Sequence, residues 1–335
     1  MALTHAAAGV NPLIQRMIAA LAKLIEWGSV QAAFRRMPHP EGRLQLDEAI
    51  QFLNGPDFMP VESQPAQLVF DDASRFHFPT PRPGAFAENN VAYGRLYRCA
   101  ERWQKRPAII LLHGRNDSIS YRFGFPQVAH RCKRAGFNAV SLVLPYHFER
   151  RPRQLSGWGG PNHLQLAEAA AQGIAEIRAL MGWLLKEACP VALWGISMGG
   201  HYAGWVASCD ARLAAAVLAV PGVSVNYSIT ERIIWRRVRE AMRRQRSVFE
   251  RLNQTPVNLT LLQPAIPRKN ILLIEAIHDL HAPKEDIERL WQAWAQPDIW
   301  RLPHGHHSWI FTPGLTDRVL AWLTPRLEAG RKNNE

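Results

Sequence analysis

The stretch VALWGISMGG, residues 191–200, decides the fold. Its apolar first half predicts a strand, and Gly195-Ile196-Ser197-Met198-Gly199 within it matches the pattern G-x-S-x-G. A serine on a sharp turn between a strand and a helix has a strained backbone, and flanking glycines let neighbouring backbones approach it. The turn also places Ser197 at the positive end of a helix dipole, which stabilises developing negative charge. The stretch predicts a nucleophilic serine; a glycine-rich connector with an incidental serine is the structural alternative.

Apolar runs on both sides of this turn predict further buried strands. They occupy residues 108–112, 138–144, 191–194, 213–220 and 271–274, and segments of helical length (125–135, 164–187, 199–208 and 283–295) lie between them. Strands without a polar face are typical of a parallel sheet that is covered on both sides. The alternation therefore predicts an α/β fold with right-handed crossovers.

The segment before this alternation predicts an N-terminal helical extension and a Pro-rich lead-in over residues 1–88, followed by the main domain over residues 89–330. An amphipathic helix is expected over residues 12–27, because their apolar side chains recur at helical spacing. The charged residues Arg16, Lys23 and Glu26 interrupt the apolar run. Its apolar side either packs on the protein or rests on a membrane surface. Short strands are expected over residues 67–70 and 93–99, and residues 76–84 form the Pro-rich passage.

A basic insertion interrupts the alternation after the run at 213–220. Residues 229–252 contain eight arginines against three glutamates and predict a helical stretch within a cap over about residues 222–265. An insertion at this point covers a site at the carboxyl ends of the strands. The basic helix is either a cap with a charged outer face or a surface that docks onto anionic lipid.

Several short strings carry a resemblance to a known family. Over about residues 90–325 the chain resembles the α/β-hydrolase superfamily. Residues 89–90, 94–98, 144–147 and 195–200 resemble the branch named after α/β-hydrolase domain-containing protein eighteen. The resemblance implies a mostly parallel central sheet flanked by helices, and serine hydrolase activity.

A serine hydroxyl needs a base, and the base needs an orienting acid. In this fold the chain order is serine, acid, histidine. The predicted strand at 299–302 is followed by His304-Gly305-His306-His307, and the resemblance implies that His306, which follows the glycine, is the base. His307 and then His304 are the alternative bases. The structural alternative is that all three histidines only face solvent in a loop.

The acid is expected in the loop after the strand at 271–274. Asp279 lies where similar hydrolases carry it, and the exit of the run at 213–220 offers no carboxylate before Glu231. Glu275 is the alternate acid. Asp279 as the N-cap of the next helix is the structural alternative.

The oxyanion hole in this fold takes one backbone N–H from the residue after the nucleophile and one from an early loop. These are Met198 and, by resemblance to other His-Gly-x loops, Arg115. The loops after the first two apolar runs are expected to border the pocket, although a solvated basic loop is the alternative for the second. The pocket candidates are His113, Gly114, Tyr146 and His147, with 150–153 beside them.

These parts predict a serine hydrolase that cleaves a small-molecule or lipid-like acyl ester and needs no metal or cofactor. An amidase, a peptidase, an acyltransferase, a non-catalytic scaffold and a membrane-surface binding protein are the alternatives. The net charge of +12 permits peripheral contact with an anionic membrane. No nucleic-acid-binding motif accompanies that charge. The first residues lack a secretory signal pattern, which predicts a cytoplasmic location.

Overall fold

The structure, a computed structural model, describes residues 12–35, 45–60, 64–155, 161–187, 189–225 and 233–332. A single mixed sheet runs through the described residues. Its strands are β1 (Val69–Phe70), β2 (Arg75–Pro79), β3 (Val91–Tyr97), β4 (Ala108–Leu112), β5 (Asn138–Leu142), β6 (Val191–Ile196), β7 (Ala215–Ala219), β8 (Ile271–Ala276) and β9 (Asp298–Leu302). They are ordered β1-β2-β3-β5-β4-β6-β7-β8-β9 across the sheet.

The six strands from β5 to β9 in this order are parallel. The five apolar runs of the sequence form β4 to β8, and every residue of β4, β5, β7 and β8 is buried. Successive side chains of a strand point to opposite faces, so such strands require cover on both sides. The prediction of a mostly parallel, doubly covered sheet is confirmed.

The helices that provide this cover lie on both faces of the sheet. Their bounds are α1 (Pro12–Arg35), α2 (Leu46–Asn54), α3 (Phe125–Arg134), α4 (His163–Leu184), α5 (Met198–Cys209), α6 (Arg236–Arg244), α7 (Arg246–Leu252), α8 (Lys284–Ala293) and α9 (Leu315–Lys332). Leu193 of β6 packs in one core with residues of α4, α5 and α8. Its neighbour Trp194 packs in the other core with residues of α3 and α9.

The remaining strands are antiparallel and correct one expectation. The Pro-rich passage at 76–84, expected to be a lead-in without a strand, contains most of β2, which pairs with β1 and β3. Phe76 and Phe78 alternate into the core and are 1% and 0% exposed, so their burial outweighs the proline at the end of the strand. Both β1 and β2 extend the main sheet from before residue 88. The domain division at that position stays a prediction.

The cap also differs in detail from the expected single helical stretch at 229–252. Residues 226–232 lie outside the described residues, and the rest forms α6 and α7, which are separated at Gln245. Ala241 and Met242 are buried, whereas Arg236, Arg243 and Arg244 are exposed. The basic side chains therefore form the outer face of the cap.

A buried ion pair fastens the exit of β5 to α4. Arg150 and Glu176 are both 0% exposed, and each guanidinium nitrogen Nη1 and Nη2 lies 2.6 Å from one carboxylate oxygen. The same nitrogens donate to the carbonyl oxygens of Val143, at 2.8 Å, and Asn89, at 2.6 Å. Arg150, expected to border the pocket or to be solvated, is instead a structural link between three segments.

We predict that Glu176→Gln lowers the free energy of unfolding by about 3–5 kcal/mol, because it leaves the Arg150 charge buried without its counter-ion. Glu250→Gln is the matched control: its pair with Arg246 spans one helical turn, the two side chains are 59% and 67% exposed, and such pairs contribute less than about 1 kcal/mol. Urea unfolding followed by circular dichroism measures both. Equal losses in the two variants would contradict the structural importance of the buried pair.

Candidate active site

Ser197 lies on the sharp turn between β6 and α5. Its φ of 55° and ψ of −113° are strained for a residue with a side chain. Glycine is required on both sides for space: a Cβ on Gly195 would overlap the carbonyl group of Gly199, and one on Gly199 would overlap that of Leu112 in β4. The predicted strand–turn–helix is present, and it holds the serine side chain clear of the helix it precedes.

His306 connects the serine to a carboxylate. Its Nε2 lies 2.9 Å from Ser197 Oγ, and its Nδ1 lies 2.6 Å from Asp279 Oδ2. The short contact with the carboxylate places the ring proton on Nδ1, which leaves Nε2 to accept the serine hydroxyl proton. The three side chains arrive from the ends of β6, β8 and β9, which meet at one edge because these strands are parallel.

The Asp279 carboxylate is fixed by its second oxygen. Oδ1 accepts the backbone N–H groups of His281 and Ala282, each at 2.7 Å, in the turn before α8. Asp279 is 5% exposed, so its two oxygens are committed to the turn and to His306. The alternative of Asp279 as the N-cap of the next helix is wrong, because Pro283 is the N-cap of α8 and the Asp279 carboxylate binds the turn before it.

The pKa of His306 reflects two opposing effects. Burial lowers it, but the charge of Asp279 and the hydrogen bond to Asp279 raise it, with further increases from the charges of Glu26 and Asp117. The net result is a pKa above the ordinary 6.5. The site therefore stabilises the imidazolium that forms when this histidine takes a proton.

The alternates lie elsewhere. Glu275 belongs to β8, and its Oε2 accepts from Nε of Arg301 at 3.1 Å. The His307 side chain is exposed. His304 follows β9, and its carbonyl accepts the backbone N–H of His278 at 3.0 Å. The structure thus brings His306 and Asp279, and not these alternates, into contact with each other and with the serine.

The candidate oxyanion loop runs directly past the nucleophile. A Cβ on Gly114 would lie 3.4 Å from Ser197 Cβ, so the backbone after β4 is adjacent to the serine. Met198 is the first residue of α5, where helix N–H groups have no partner within the helix. Arg115 has an exposed side chain. The oxyanion roles of Met198 and Arg115 stay predictions.

The pocket candidate His113 requires a correction, because it is 0% exposed and both ring nitrogens are engaged. Nδ1 lies 2.8 Å from the Gly114 carbonyl, and Nε2 accepts the N–H of Leu144 at 3.0 Å. It joins the exits of β4 and β5 and does not border a pocket. His147 is also buried, with Nδ1 2.8 Å from the Pro145 carbonyl. Burial lowers the pKa of His113 to about 3 and that of His147 to about 4.

Tyr146 lies in the loop that follows β5. It has a φ of 64°, is half-buried, and its N–H donates to Asn89 Oδ1 at 3.0 Å. Its ring packs edge-on against Phe86. Its contact with substrate stays a prediction.

No pattern in the sequence indicates that α1 reaches this site. Ala22, Glu26 and Val30 are buried, whereas the apolar Leu21, Leu24 and Ile25 are exposed. Of the two alternatives for the apolar side of this helix, packing on the protein is therefore not found at these three described positions. Ser29 Oγ lies 2.8 Å from Nε2 of His281, and Glu26 contacts the loops that carry Asp279 and His306.

The described ranges contain neither a metal-binding cluster nor a membrane-spanning helix. Among these residues, no group of three or more His, Cys, Asp or Glu side chains is arranged to hold a metal ion. No helix within them has the length and apolar character needed to cross a bilayer.

The sheet order and the strand–turn–helix at Ser197 define the fold of the α/β hydrolases. The acetyl xylan esterase 1 of Thermoanaerobacterium sp. JW/SL YS485 has a similar structure, with a TM-score of 0.55 and 17% identity over 86% of this chain and 95% of that one. The acetyl xylan esterase of Paenibacillus sp. R4 has a TM-score of 0.52 and 16% identity over 85% and 95% of the two chains.

Within that fold, the chain belongs to the family described as alpha/beta hydrolase domain containing 18, which matches residues 77–255. An uncharacterized protein of Mycobacterium tuberculosis, Rv2627c, is 30% identical over 246 residues, which are 68% of this chain. The chain spans 57% of the length of that relative.

We predict that His306 titrates above pH 6.5 and that Asp279→Asn lowers its pKa, because the variant removes the negative charge beside the ring. Nuclear magnetic resonance of the histidine ring protons measures this directly. Asp298→Asn, at an exposed acid paired with Arg326, is the control and should leave the pKa of His306 unchanged. An unaltered titration in Asp279→Asn would contradict the coupling.

Proposed function

We propose that this protein is a serine hydrolase that cleaves a carboxylic acyl ester, with Ser197 as nucleophile, His306 as general base and Asp279 as orienting acid. One observation carries the proposal: His306 lies 2.9 Å from Ser197 Oγ and 2.6 Å from Asp279 Oδ2. A serine that faces a histidine with a fixed tautomer is the arrangement that acyl transfer requires.

The reaction follows from the positions of these groups. Ser197 Oγ attacks the acyl carbonyl while its proton passes to Nε2 of His306, and the backbone N–H groups of Met198 and Arg115 stabilise the resulting oxyanion. The imidazolium then protonates the leaving alcohol, which departs and leaves Ser197 acylated. Water attacks the acyl-enzyme with His306 again as base, and the acid product is released. Asp279 stabilises the imidazolium in both halves of the reaction.

The choice of an ester rests on two supports. Esters need less assistance to the leaving group than amides, and the structurally similar proteins described above are named acetyl xylan esterases. An amidase, peptidase or acyltransferase would use the same three residues. Trapping the acyl-enzyme and comparing water with amine and alcohol acceptors distinguishes these activities.

We predict that a fluorophosphonate probe labels the wild-type protein and that Ser197→Ala abolishes labelling. His306→Ala should slow labelling by about 10³-fold or more, because the hydroxyl loses its base. Ser208→Ala is the matched control, since this serine also lies on α5 but its Oγ donates to the Gly204 carbonyl. An unlabelled wild type, or labelling that survives in Ser197→Ala, would overturn the proposal.

The segments around the proposed site carry exposed apolar side chains, which indicate the surface from which a substrate reaches Ser197. Apolar side chains that are between 37% and 75% exposed lie on α1 and on the segments that follow β4, β8 and β9; we call them the apolar rim. The rim consists of Leu21, Leu24, Ile25, Trp27, Ile119, Phe123, Ile277, Ile310 and Phe311. Exposed apolar groups concentrated at one edge of a fold mark an interaction surface.

We infer that the apolar rim contacts an anionic membrane, from which a lipid-like ester reaches Ser197. Lys23, Arg115 and Arg122 are exposed on the same segments, and the whole chain has a net charge of +12. Apolar side chains flanked by basic ones bind anionic lipid through burial and charge together.

We predict that the protein sediments with vesicles of phosphatidylcholine and phosphatidylglycerol at low salt, and less at high salt. The double variant Phe123→Ser, Phe311→Ser should reduce the bound fraction by about threefold or more. Val69→Ser is the control, because Val69 is 51% exposed on β1, the edge strand at the far end of the sheet from β9. No vesicle binding by the wild type, or equal loss in the control, would refute the membrane contact.

A further inference from the structure

We propose that Glu26 of α1 is a positioning residue of the hydrolase: its carboxylate holds the loop that carries His306 against the loop that carries Asp279. This inference rests on the proposed function. The sequence distance is large, since Glu26 and His307 are 281 positions apart.

The hydrogen bonds of Glu26 are placed next to both catalytic candidates. Oε1 accepts the backbone N–H of His307 at 3.2 Å, and Oε2 accepts the backbone N–H of Leu280 at 3.4 Å. These donors are the residues that directly follow His306 and Asp279 in the chain. One carboxylate thus bridges the two peptide segments that set the distance between the imidazole and its acid.

Gly305 provides a second, independent observation. A Cβ at this position would overlap Cγ and the carboxyl group of Glu26. Its φ lies outside the left-handed region, so the glycine is needed here for space and not for backbone conformation. The glycine before His306 therefore lets the carboxylate of α1 lie against the histidine loop.

The surroundings of the Glu26 carboxylate disfavour its charge, except for the imidazolium of His306 and the backbone N–H groups of the histidine loop. The side chain is 0% exposed, and burial together with the charge of Asp279 raises the pKa of Glu26. The backbone N–H groups of the histidine loop and the charge of His306 lower it. A buried carboxylate beside another carboxylate is costly. It gains most when His306 is protonated, which is the state that forms during acyl transfer.

The other titratable groups near this contact are histidines and one acid. His281 and His307 have ring centres 5.0 Å and 5.2 Å from that of His306, and the charge of Asp117 also acts on His306. Desolvation of the ring lowers the pKa of both His281 and His307, whereas the pKa of His306 is raised, so protonation in this cluster favours His306. The carboxylates of Glu26, Asp279 and Asp117 therefore determine how strongly the site holds the imidazolium.

The helix that carries Glu26 is anchored in the turn that follows this residue. Ser29 Oγ contacts His281, one turn further along α1. Val30 packs in a small apolar cluster with Ile233 and Met242 of the cap. The carboxylate is thus presented by a docked helix and not by a free side chain.

The test compares Glu26→Gln, Glu26→Ala and Gly305→Ala with the wild type on a soluble p-nitrophenyl ester. Glu26→Ala and Gly305→Ala should lower kcat by about tenfold or more with little change in KM, because small misplacements of catalytic groups slow chemistry. Glu26→Gln retains an acceptor oxygen, so it should recover part of that kcat. Glu240→Gln, at an exposed glutamate of α6, is the matched control and should behave as wild type.

A pH profile separates positioning from simple packing. The base acts only when neutral, so kcat/KM falls as the pH falls through the pKa of His306. Removing the Glu26 charge lowers that pKa, and the acidic limb should move to lower pH by about half a unit in Glu26→Gln. Magnetic resonance titration of His306 in a Ser197→Ala background should show the same shift without any turnover.

The outcomes of the two proposals are distinct. A wild type that neither turns over the ester nor reacts with the fluorophosphonate refutes the hydrolase itself. A reactive wild type whose Glu26→Gln and Glu26→Ala variants keep the rate and the titration of His306 refutes the role of Glu26. Loss of thermal stability in Glu26→Ala with an unmoved acidic limb would assign Glu26 to packing alone and also overturn the proposal.

Discussion

The close approach of three backbone segments at Ser197 is the constraint on which the rest of the structure depends. Gly195 at the end of β6, Gly199 at the start of α5 and Leu112 at the end of β4 are too near one another for side chains on the glycines. The Ser197 carbonyl accepts N–H groups from His201 and Gly222, which fixes the strained turn from both sides. Since the strands beside β6 are parallel, every loop that approaches the serine leaves the same edge of the sheet.

The sequence predicted the parts of this arrangement that leave a local pattern. The apolar runs identified β4 to β8, and the chain order of serine, acid and histidine located the loops of Asp279 and His306. The strand β2 was missed because a Pro-rich passage obscured the alternation of Phe76 and Phe78. The burial of His113 was missed because its residue type is equally common at pockets. Glu26 counts in the sequence only as a charged residue that interrupts an apolar run, since contacts between distant positions leave no periodicity in the chain.

Single residues contribute both to the fold and to the proposed catalytic site. One oxygen of Asp279 accepts N–H groups of the turn before α8 while the other contacts His306. Gly305 likewise spaces the histidine loop and admits the carboxylate of Glu26. The contacts that hold the loops after β8 and β9 in place therefore also hold Asp279 and His306 near Ser197. These side chains cannot shift without disturbing those loops.

The contact between α1 and the loop after β9 has a consequence for biosynthesis. Synthesis from the amino end produces Glu26 long before His306 and His307, and the loop that they share is among the last parts of the site to leave the ribosome. Non-local contacts of this kind form late, after the intervening chain has been ordered. A nascent chain that already displays Ser197 thus lacks the proposed base, His306, and the contact between Glu26 and the histidine loop. The proposed site therefore stays incomplete until the loop after β9 has been synthesised and folded.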